Sequence, residues 1–600
     1  MNENERETTR LYGYYEEGRA YQMKSGLARK IPQFVRFYEG DQWAPPTKNT
    51  KNLPRPVVNI VKMICRNKKS SILSGPVRIE YGSEQKGEHL SRLNRFAAYI
   101  QDELGQEELD ARAISDGVKK GSYFYHYYWD SEARGKDGVK CGALRCEIID
   151  PLSIFFSNPT QRDEQKQKWI LIASREDVDS VRAQCDRACD RERILPDEGE
   201  GGYGTVEPEG RLCTVFTCYF RRGGLVYCEK ATKYAVVNAP FPLTPDFEAA
   251  FSLLCGGADG AKGTAAEKGT DEETTRAKRA NAGKATNAEK ATGHACAALG
   301  EIPGASSDRP AAMDAPDNAL PDSSRLSPRP VRAGMTLYPV VVGNYEEREH
   351  SIFGIGEVEG VIPNQKSINF NIAMSLLNAQ ENAWGKYVVL PGALSGQTIS
   401  NEPGQVLTDY SGTGEGIRRL KESAPTLAAM EMVDTLTRLT RVVTGSTEVM
   451  TGETLGGSMS GAAIAQLQSM AEQPVKELRR AFFAAKEKQG RILSEFFRYY
   501  YVRKEFPDGH GGTELFRGDE YGDGELSVIV RAVAGTSSSA AGDITALDAL
   551  LSRGLISPET YLAAYPPDAL SNREKILEGL QRDRDAKISA EGGKYGKYKY

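Results

Sequence analysis

The chain has 600 residues, more than one hydrophobic core usually serves, so roughly two to four structural units are expected. It is 40% hydrophobic and 26% charged, which excludes a chain disordered throughout, and ten cysteines over this length exclude a small disulfide scaffold. Lys and Arg number 77 against 82 Asp and Glu, a formal net charge of −5; tight, extensive gripping of nucleic-acid phosphates is thereby excluded, while a local patch or a channel that does not hold its cargo is not.

The opening MNENERETTR has no apolar run, so no secretory signal is expected. No stretch approaches the ~18 apolar residues of a spanning helix. The chain is expected to be made in a cytoplasm, with its cysteines reduced. Residues 1–30 are charged and rich in tyrosine (Tyr12, Tyr14, Tyr15, Tyr21) and read as an arm or a short helix. QFVRFYEGDQW (33–43) reads as a helix end and a turn at Gly40-Asp41. Pro45, Pro46, Pro54 and Pro56 make an extended linker. Residues 57–74 predict a helix through Val57, Ile60, Val61, Ile64, Lys68 and Ile72, stopped by Gly75-Pro76. Another helix is predicted over 89–117, with Leu90, Leu93, Phe96, Ile100 and Leu104 on one face.

From 118 to 237 the pattern turns to strands: 122–129, 144–150, 153–157, 168–174, 211–220 and 225–237, with Arg221-Arg222-Gly223-Gly224 as a hairpin turn. Residues 252–337 hold no Phe, Tyr or Trp and read as a disordered or loosely helical insertion. The remainder is largely helical. The helix over 364–384 places Ile368, Ile372, Leu376, Ala379 and Ala383 on one face and Asn and Gln on the other. Nine Gly or Pro residues break up 385–423, leaving short strand-like pieces such as KYVVL. A helix over 425–443 carries Leu427, Met430, Val433, Leu436, Leu439 and Val443. Residues 445–461 form a Gly/Ser/Thr loop, and a long helix follows over 459–505 with a kink expected at Pro474. A strand at 525–533, a Ser/Ala/Gly joint, a helical pair around 543–580 with Pro558 opening its second helix, and a disordered Lys/Tyr/Gly tail complete the chain. The fold class is therefore α+β, predominantly helical in the C-terminal half.

The motifs of familiar chemistry are absent. There is no phosphate-cradling G-x-x-x-x-G-K-[ST]. Gly354-Ile355-Gly356-Glu357-Val358-Glu359-Gly360 misses a dinucleotide fingerprint by one position and reads as a turn before a helix. The closest cysteine pairs (Cys141/Cys146, Cys185/Cys189, Cys213/Cys218) are too widely spaced for a zinc site. His126 sits in an aromatic strand and reads as a packed, satisfied ring. Asp508, Asp519 and Asp523 fail the register of a calcium loop, with Tyr521 and Val530 in the way, and read as a solvated acidic hairpin. The basic runs at 66–69, 119–120, 418–421 and 479–480 are short and read as solvated faces. No catalytic residue, cofactor or metal ligand is expected.

The order of elements, with its residues, resembles the portal proteins of tailed double-stranded DNA bacteriophages. The likeness is carried by FYEGDQW (37–43) with PRPVVNIVKMICRNKKSSILSG (54–75), by IIDPLSIFFSNPT (148–160), by FGIGEVEGVIPNQKSINFNIAMSLLNAQENAW (353–384), by VVTGSTEVMTGETLGGSMSGAAIAQLQS (442–469) and by GRILSEFFRYYY (490–501). It covers most of the chain except 252–337 and the tail. The resemblance implies a portal fold of wing, stem, clip, tunnel helix and crown, assembled as a dodecameric ring at the unique capsid vertex of the virion. Double-stranded DNA would pass transiently through its channel during packaging and genome ejection. On this reading 1–350 is the wing region with its insertion, 351–384 and 424–446 are the stem helices, and 385–423 is the clip. The tunnel loop is 447–458, the long tunnel helix 459–505, the wing strand 506–536, the crown 537–580 and the tail 581–600. The implied partners are the terminase large subunit, head-completion and tail connector proteins, scaffold and major capsid protein, with no membrane.

The resemblance also implies roles for residues. Thr447, Glu448, Val449, Met450, Thr451, Gly452, Glu453 and Thr454 would fringe the channel. An ordinary interhelical loop is the plainer reading of the same residues. Arg438 and Arg441, one turn apart with Asp434 a turn earlier, are either an intrahelical ion pair or a ring of cations brushing the DNA backbone. Arg418, Arg419 and Lys421 would engage an acidic motor surface. The Asn/Gln face of 364–384 suits either a lumen or an interface between stems. The competing readings are another virion structural protein, which would assemble without a DNA-sized channel, and a metal-dependent nuclease using the 508–525 acids.

Overall fold

The structure, a computed structural model, describes residues 3–48, 50–73, 75, 77–82, 88–135, 140–198, 210–244, 334–383, 387–400, 405–419, 426–446, 473–507, 512–521, 527–532, 544, 547–565, 576 and 579. The chain divides into Met1–Pro245 with Arg332–Tyr600, and Asp246–Val331; all described residues belong to the first unit. The insertion expected over 252–337 lies outside the described residues up to 333. So do the loop 447–458, the segment 459–472 ahead of Pro474, the joint around 535–542 and the tail.

Helix α1 (Glu3–Lys24) opens the chain. It is no free arm: Leu11 is buried and the Tyr14 ring stacks on Trp169 with centroids 4.3 Å apart. α2 (Leu27–Glu39) buries Ile31, Phe34 and Phe37 at three-residue spacing and ends at Gly40, as its sequence indicates. α3 (Ile60–Ile72) is capped by Asn59, whose side-chain oxygen accepts from the Lys62 N–H. Strand β1 (Val77–Gly82) follows. The single helix expected over 89–117 is two, α4 (Glu88–Glu103) and α5 (Gln106–Lys120). Gly105 between them adopts φ 62°, a left-handed conformation that a helix interior cannot hold.

β2 (Ser122–Asp130) and β3 (Ala143–Ile149) pair antiparallel. β4 (Ile154–Phe156) and β5 (Trp169–Asp177) begin a five-stranded antiparallel sheet. Two short helices, α6 (Val178–Gln184) and α7 (Ala188–Arg191), precede its next strand, β6 (Leu212–Arg222). The turn into β7 (Leu225–Ala231) is Gly223-Gly224, both at positive φ, which matches the twist of a tight hairpin. The strand expected over 225–237 is divided: the chain turns at Thr232–Ala235 and returns as β8 (Val236–Pro242). β9 (Val340–Asn344), which the sequence reading did not anticipate, adds to the free edge of β2. Residues 334–337 belong to this body rather than to the insertion. Met335 is fully buried, and the Thr336 N–H and hydroxyl both donate to the Glu495 carboxylate.

The two sheets share a core of Phe124, Phe156, Ile170, Tyr338 and Phe353. At its margin His126 reaches across, its ring nitrogens 2.7 Å from Glu147 Oε1 and 2.7 Å from the Tyr219 hydroxyl, so the ring is packed and satisfied. The Gly354–Gly356 segment forms the turn before α8 (Glu357–Ala383). β10 (Tyr387–Val389) and β11 (Ile417–Arg419) pair as a small ribbon, and α9 (Thr426–Val443) returns.

α10 (Gln473–Tyr499), as long as α8, is amphipathic along its length. Phe482, Ile492, Leu493, Phe496 and Phe497 sink into a core shared with Ile64, Phe96, Ile114 and Val118; each such side chain contributes about 1.5–3 kcal/mol when fully buried. On the same face Lys486 and Gln489 are completely buried. Lys486 Nζ forms an ion pair with Asp110 Oδ2 at 2.5 Å. The Tyr125 hydroxyl and Gln106 amide donate to Asp110 Oδ1 at 2.8 and 2.9 Å, and the Tyr127 hydroxyl donates to Gln489 at 3.1 Å. Asp110 is buried with an ion-pair partner and two hydrogen-bond donors, whereas Lys486 Nζ has the ion pair but no well-formed hydrogen bond among the described residues.

β12 (Lys504–Pro507) and β13 (Thr513–Phe516) form a hairpin in which Phe506 and Phe516 are buried and Phe516 stacks on Phe96 at 3.8 Å. Asp508, Asp523 and the side chain of Asp519 lie outside the described residues. β14 (Ser527–Ala532) realises the strand expected at 525–533, and its antiparallel partner is the distant β1, from Val77↔Ala532 to Gly82↔Ser527. α11 (Pro558–Ala564) starts with Pro558 in its first turn behind an Ser557 cap, as expected.

Candidate functional site: an exposed helical hairpin

α8 spans 27 residues, about 40 Å at 1.5 Å per residue. Asn364, near its start, donates to the Thr440 hydroxyl near the end of α9 at 3.0 Å. The two helices therefore run antiparallel, with the β10–β11 ribbon between their other ends. α9 buries Val433, Thr440 and Thr444, a line at helical spacing.

The root of α8 is locked into the body. Val358, Val361, Ile362 and Ile368 are buried among the helices. Gln365, with no exposure, accepts the N–H groups of Ile60 and Val61 at 3.0 and 3.3 Å. It thereby satisfies the first orphan donors of α3. Its amide donates to Val58 O and Asn369 Oδ1, and Asn369 passes the chain on to Gln42 at 2.6 Å. The polar face of α8, expected to line a lumen or a contact between stems, is at this level an internal clamp across α2, α3 and α8.

The apolar residues do the opposite. Phe370 is 53% exposed, and Met374 and Leu376 are also exposed, although Leu376 belongs to the face expected to be covered. On α9, Met430, Met432, Leu439, Val442 and Val443 face outward, Val443 at 82%. Around the ribbon Tyr387, Val388, Leu390, Val406 and Tyr410 are exposed. Thirteen of the 24 large apolar side chains exposed among the described residues lie between 370 and 443, so the apolar surface is concentrated on one element. Surfaces of this kind mark contact sites. Part of the signal is in the sequence: Phe370 and Met374 stand among the Asn and Gln of α8, and α9 carries Met430, Leu439 and Val443 on more than one side.

The predicted site residues fall into three groups. Arg438 is exposed, and no ion pair joins it to Asp434. Arg441 is half-buried, with its Nε shut away from solvent. Arg418 and Arg419 stand on β11 opposite Val388 and Tyr387, both exposed, and Arg418 pairs with Glu415. The turn beside them is held by Asp409, which accepts from the Ser411 and Gly416 N–H groups, each at 2.8 Å. Hydrogen bonds from Ser411, then Gly416, hold its carboxyl below the usual carboxylate range. Lys421 and Thr447, Glu448, Val449, Met450, Thr451, Gly452, Glu453 and Thr454 lie outside the described residues; the chain is described up to Ser446, which is buried.

Among the described residues no cluster of His, Cys, Asp or Glu is placed to hold a metal ion. No described helix is long and apolar enough to cross a membrane. What the hairpin offers is an apolar, sparingly charged surface on a rigidly rooted arm. No protein-family model matches the chain, and no curated protein matches it.

Proposed function

We propose that the chain is a portal protein, in which α8 and α9 are the stem and the ribbon region is the clip. On this reading copies close into a dodecameric ring at one capsid vertex. Viral double-stranded DNA is driven in through the channel by the terminase motor and leaves through it on ejection. The clip, with Arg418 and Arg419 at its ribbon, docks the motor and later the tail connector proteins. The carrying observation is the concentration of exposed apolar side chains on an arm whose root is fully packed. An arm built this way is stable in one chain and left uncovered by it, and repeated copies around an axis would cover each stem with its neighbour's. The net charge of −5 suits a channel that must pass DNA without retaining it.

The test is the mass of the purified protein in solution, with negative-stain images of the same fraction. The subunit is 65.8 kDa, so twelve copies give 12 × 65.8, about 790 kDa. A ring near that mass with an axial hole wide enough for duplex DNA is the expected result. A large assembly without such a hole assigns the chain to another structural role in the particle. A monomer that binds divalent metal and cuts DNA overturns the reading.

A further inference from the structure

A second feature lies in the body, away from the α8–α9 hairpin. Between α3, α5 and β3 there is a cavity of about 490 Å³, within the ~300–1,000 Å³ of small-molecule sites. Its polar and charged lining is Lys69, Arg112, Ser115, Asp116, Lys119 and Glu147. Lys69 lies on α3, where it continues a row with Lys62 and Arg66 at helical spacing. Lys62 Nζ and Lys119 Nζ approach the same ring, Tyr38, at 5.7 and 5.3 Å from its centroid. The basic row of α3 and the end of α5 thus form one continuous field.

The acids nearby do not cancel it. Asp116 is shared, with Oδ1 3.2 Å from Lys119 and Oδ2 3.1 Å from Lys120. Glu147 lies 2.7 Å from His126. Arg112 pairs with Glu108, but both side chains are more than 60% exposed, so solvent weakens that pair. Among the described residues Lys69, Lys62 and Arg66 form no ion pair. In the lining three cations, Lys69, Arg112 and Lys119, face two carboxylates, Asp116 and Glu147, with Lys62 and Arg66 continuing the basic row on α3, in a chain whose overall charge is −5. Anions are drawn to such local excess, and ammonium, guanidinium and hydroxyl groups together suit phosphate oxygens.

We propose that this cavity binds the phosphate group of a phosphate ester of mononucleotide size, held by Lys69, Arg112 and Lys119 with Ser115 as a further donor. The volume suits a small ligand, and the three cations that line it are fewer than the extended run that recognition of a tracked duplex needs. Calorimetric titration of the full-length protein with adenosine monophosphate, inorganic phosphate, and single-stranded and duplex oligonucleotides tests it. Saturable 1:1 binding of the mononucleotide is expected, with inorganic phosphate competing. Lys69→Gln/Arg112→Gln should weaken it at least about tenfold. The exposed control Arg553→Gln should leave it unchanged. Asp116→Asn, which removes the competing carboxylate, should tighten it by about threefold. Each variant's thermal melt checks that the fold is kept. Binding of the oligonucleotides but not the mononucleotide, with the same response to the variants, assigns the phosphate to a nucleic-acid backbone and overturns the small-ligand assignment. No saturable binding of any probe, or binding indifferent to all three cavity substitutions, overturns the site altogether.

Discussion

Helix α10 and the α8–α9 hairpin carry the same kind of message in their sequences and meet opposite fates. In α10 the periodic apolar face is covered by the chain's own α3, α4 and α5, and even Lys486 and Gln489 are drawn inside because Asp110 and Tyr127 are there to meet them. In the hairpin the polar Gln365 and Asn369 are the buried residues, while Phe370, Met432, Leu439 and Val443 stand in the open. Periodicity announces that a face will be covered; it does not say which chain covers it. Where a polar residue finds a donor or acceptor inside its own chain it is buried, and where an apolar residue finds no neighbour it waits for another molecule.

The sharpest way to break the comparison is at Lys486. Asp110→Ala leaves a fully buried ammonium without its partner and should cost about 3–5 kcal/mol in chemical denaturation. Asp110→Asn with Lys486→Met, which keeps an acceptor for Tyr125 and removes the charge, should recover part of that loss. Burial pushes the Lys486 ammonium below the ordinary lysine range, against the pull of Asp110. The unfolded chain therefore binds more protons than the folded one between the depressed value and 10.5. The contribution of this group to stability accordingly rises with pH through that window. Lys486→Met should abolish that rise; an unchanged pH profile would show that the pair carries no such linkage.

Next in size is the clamp at the hairpin root. Gln365→Ala strips the acceptor from the Ile60 and Val61 N–H groups and should destabilise the body by about 1–3 kcal/mol. A loss confined to the hairpin, with α3 amides still protected from hydrogen exchange, would mean that water replaces the clamp.

On the hairpin itself the expectation inverts. Leu439→Glu with Val443→Glu should change the unfolding free energy of one subunit by less than about 0.5 kcal/mol, since both side chains already lie in solvent. The same pair should weaken self-association by about 2 kcal/mol or more per contact, read as a fall in mass toward 65.8 kDa. A variant that assembles normally would remove the reason for calling this face an interface.

The smallest effect belongs to the β12–β13 hairpin. Glu514 accepts from Arg95 and Arg92, and these hydrogen bonds, those of Arg95 first, hold its carboxyl below the usual range. Its folded value lies under the unfolded one, so its contribution is complete above the ordinary glutamate range and is lost as pH falls through the folded value. Arg95→Gln should flatten that acid dependence in the exchange protection of 513–516 relative to the unfolded chain. Wild-type protection already flat between neutral and acid pH would contradict the pairing.

The legible parts share one property: their determinants are adjacent in the chain. Gly40 ends α2, Gly223-Gly224 turns β6 into β7, and Ser557-Pro558 starts α11, each through residues within one turn of the event. The α8–α9 pair and the broken stretch between its helices were likewise readable, because sustained helical spacing and clustered glycines and prolines are local patterns. Asp434 and Arg438 are spaced for an intrahelical ion pair, and side-chain freedom in solvent leaves it unmade.

What the linear chain left open was decided at a distance. β1 has no meaning until β14 arrives from some 450 positions away to pair with it. Lys486 reads as a solvated charge until Asp110 is brought within 2.5 Å. Gln365 reads as part of a polar outer face until α3 presents the N–H groups of Ile60 and Val61 to its side-chain oxygen. Composition, period and turn chemistry are properties of neighbouring residues and survive translation from sequence to structure. Burial of a polar group is a property of its partners, and partners are assigned only when the chain has closed upon itself.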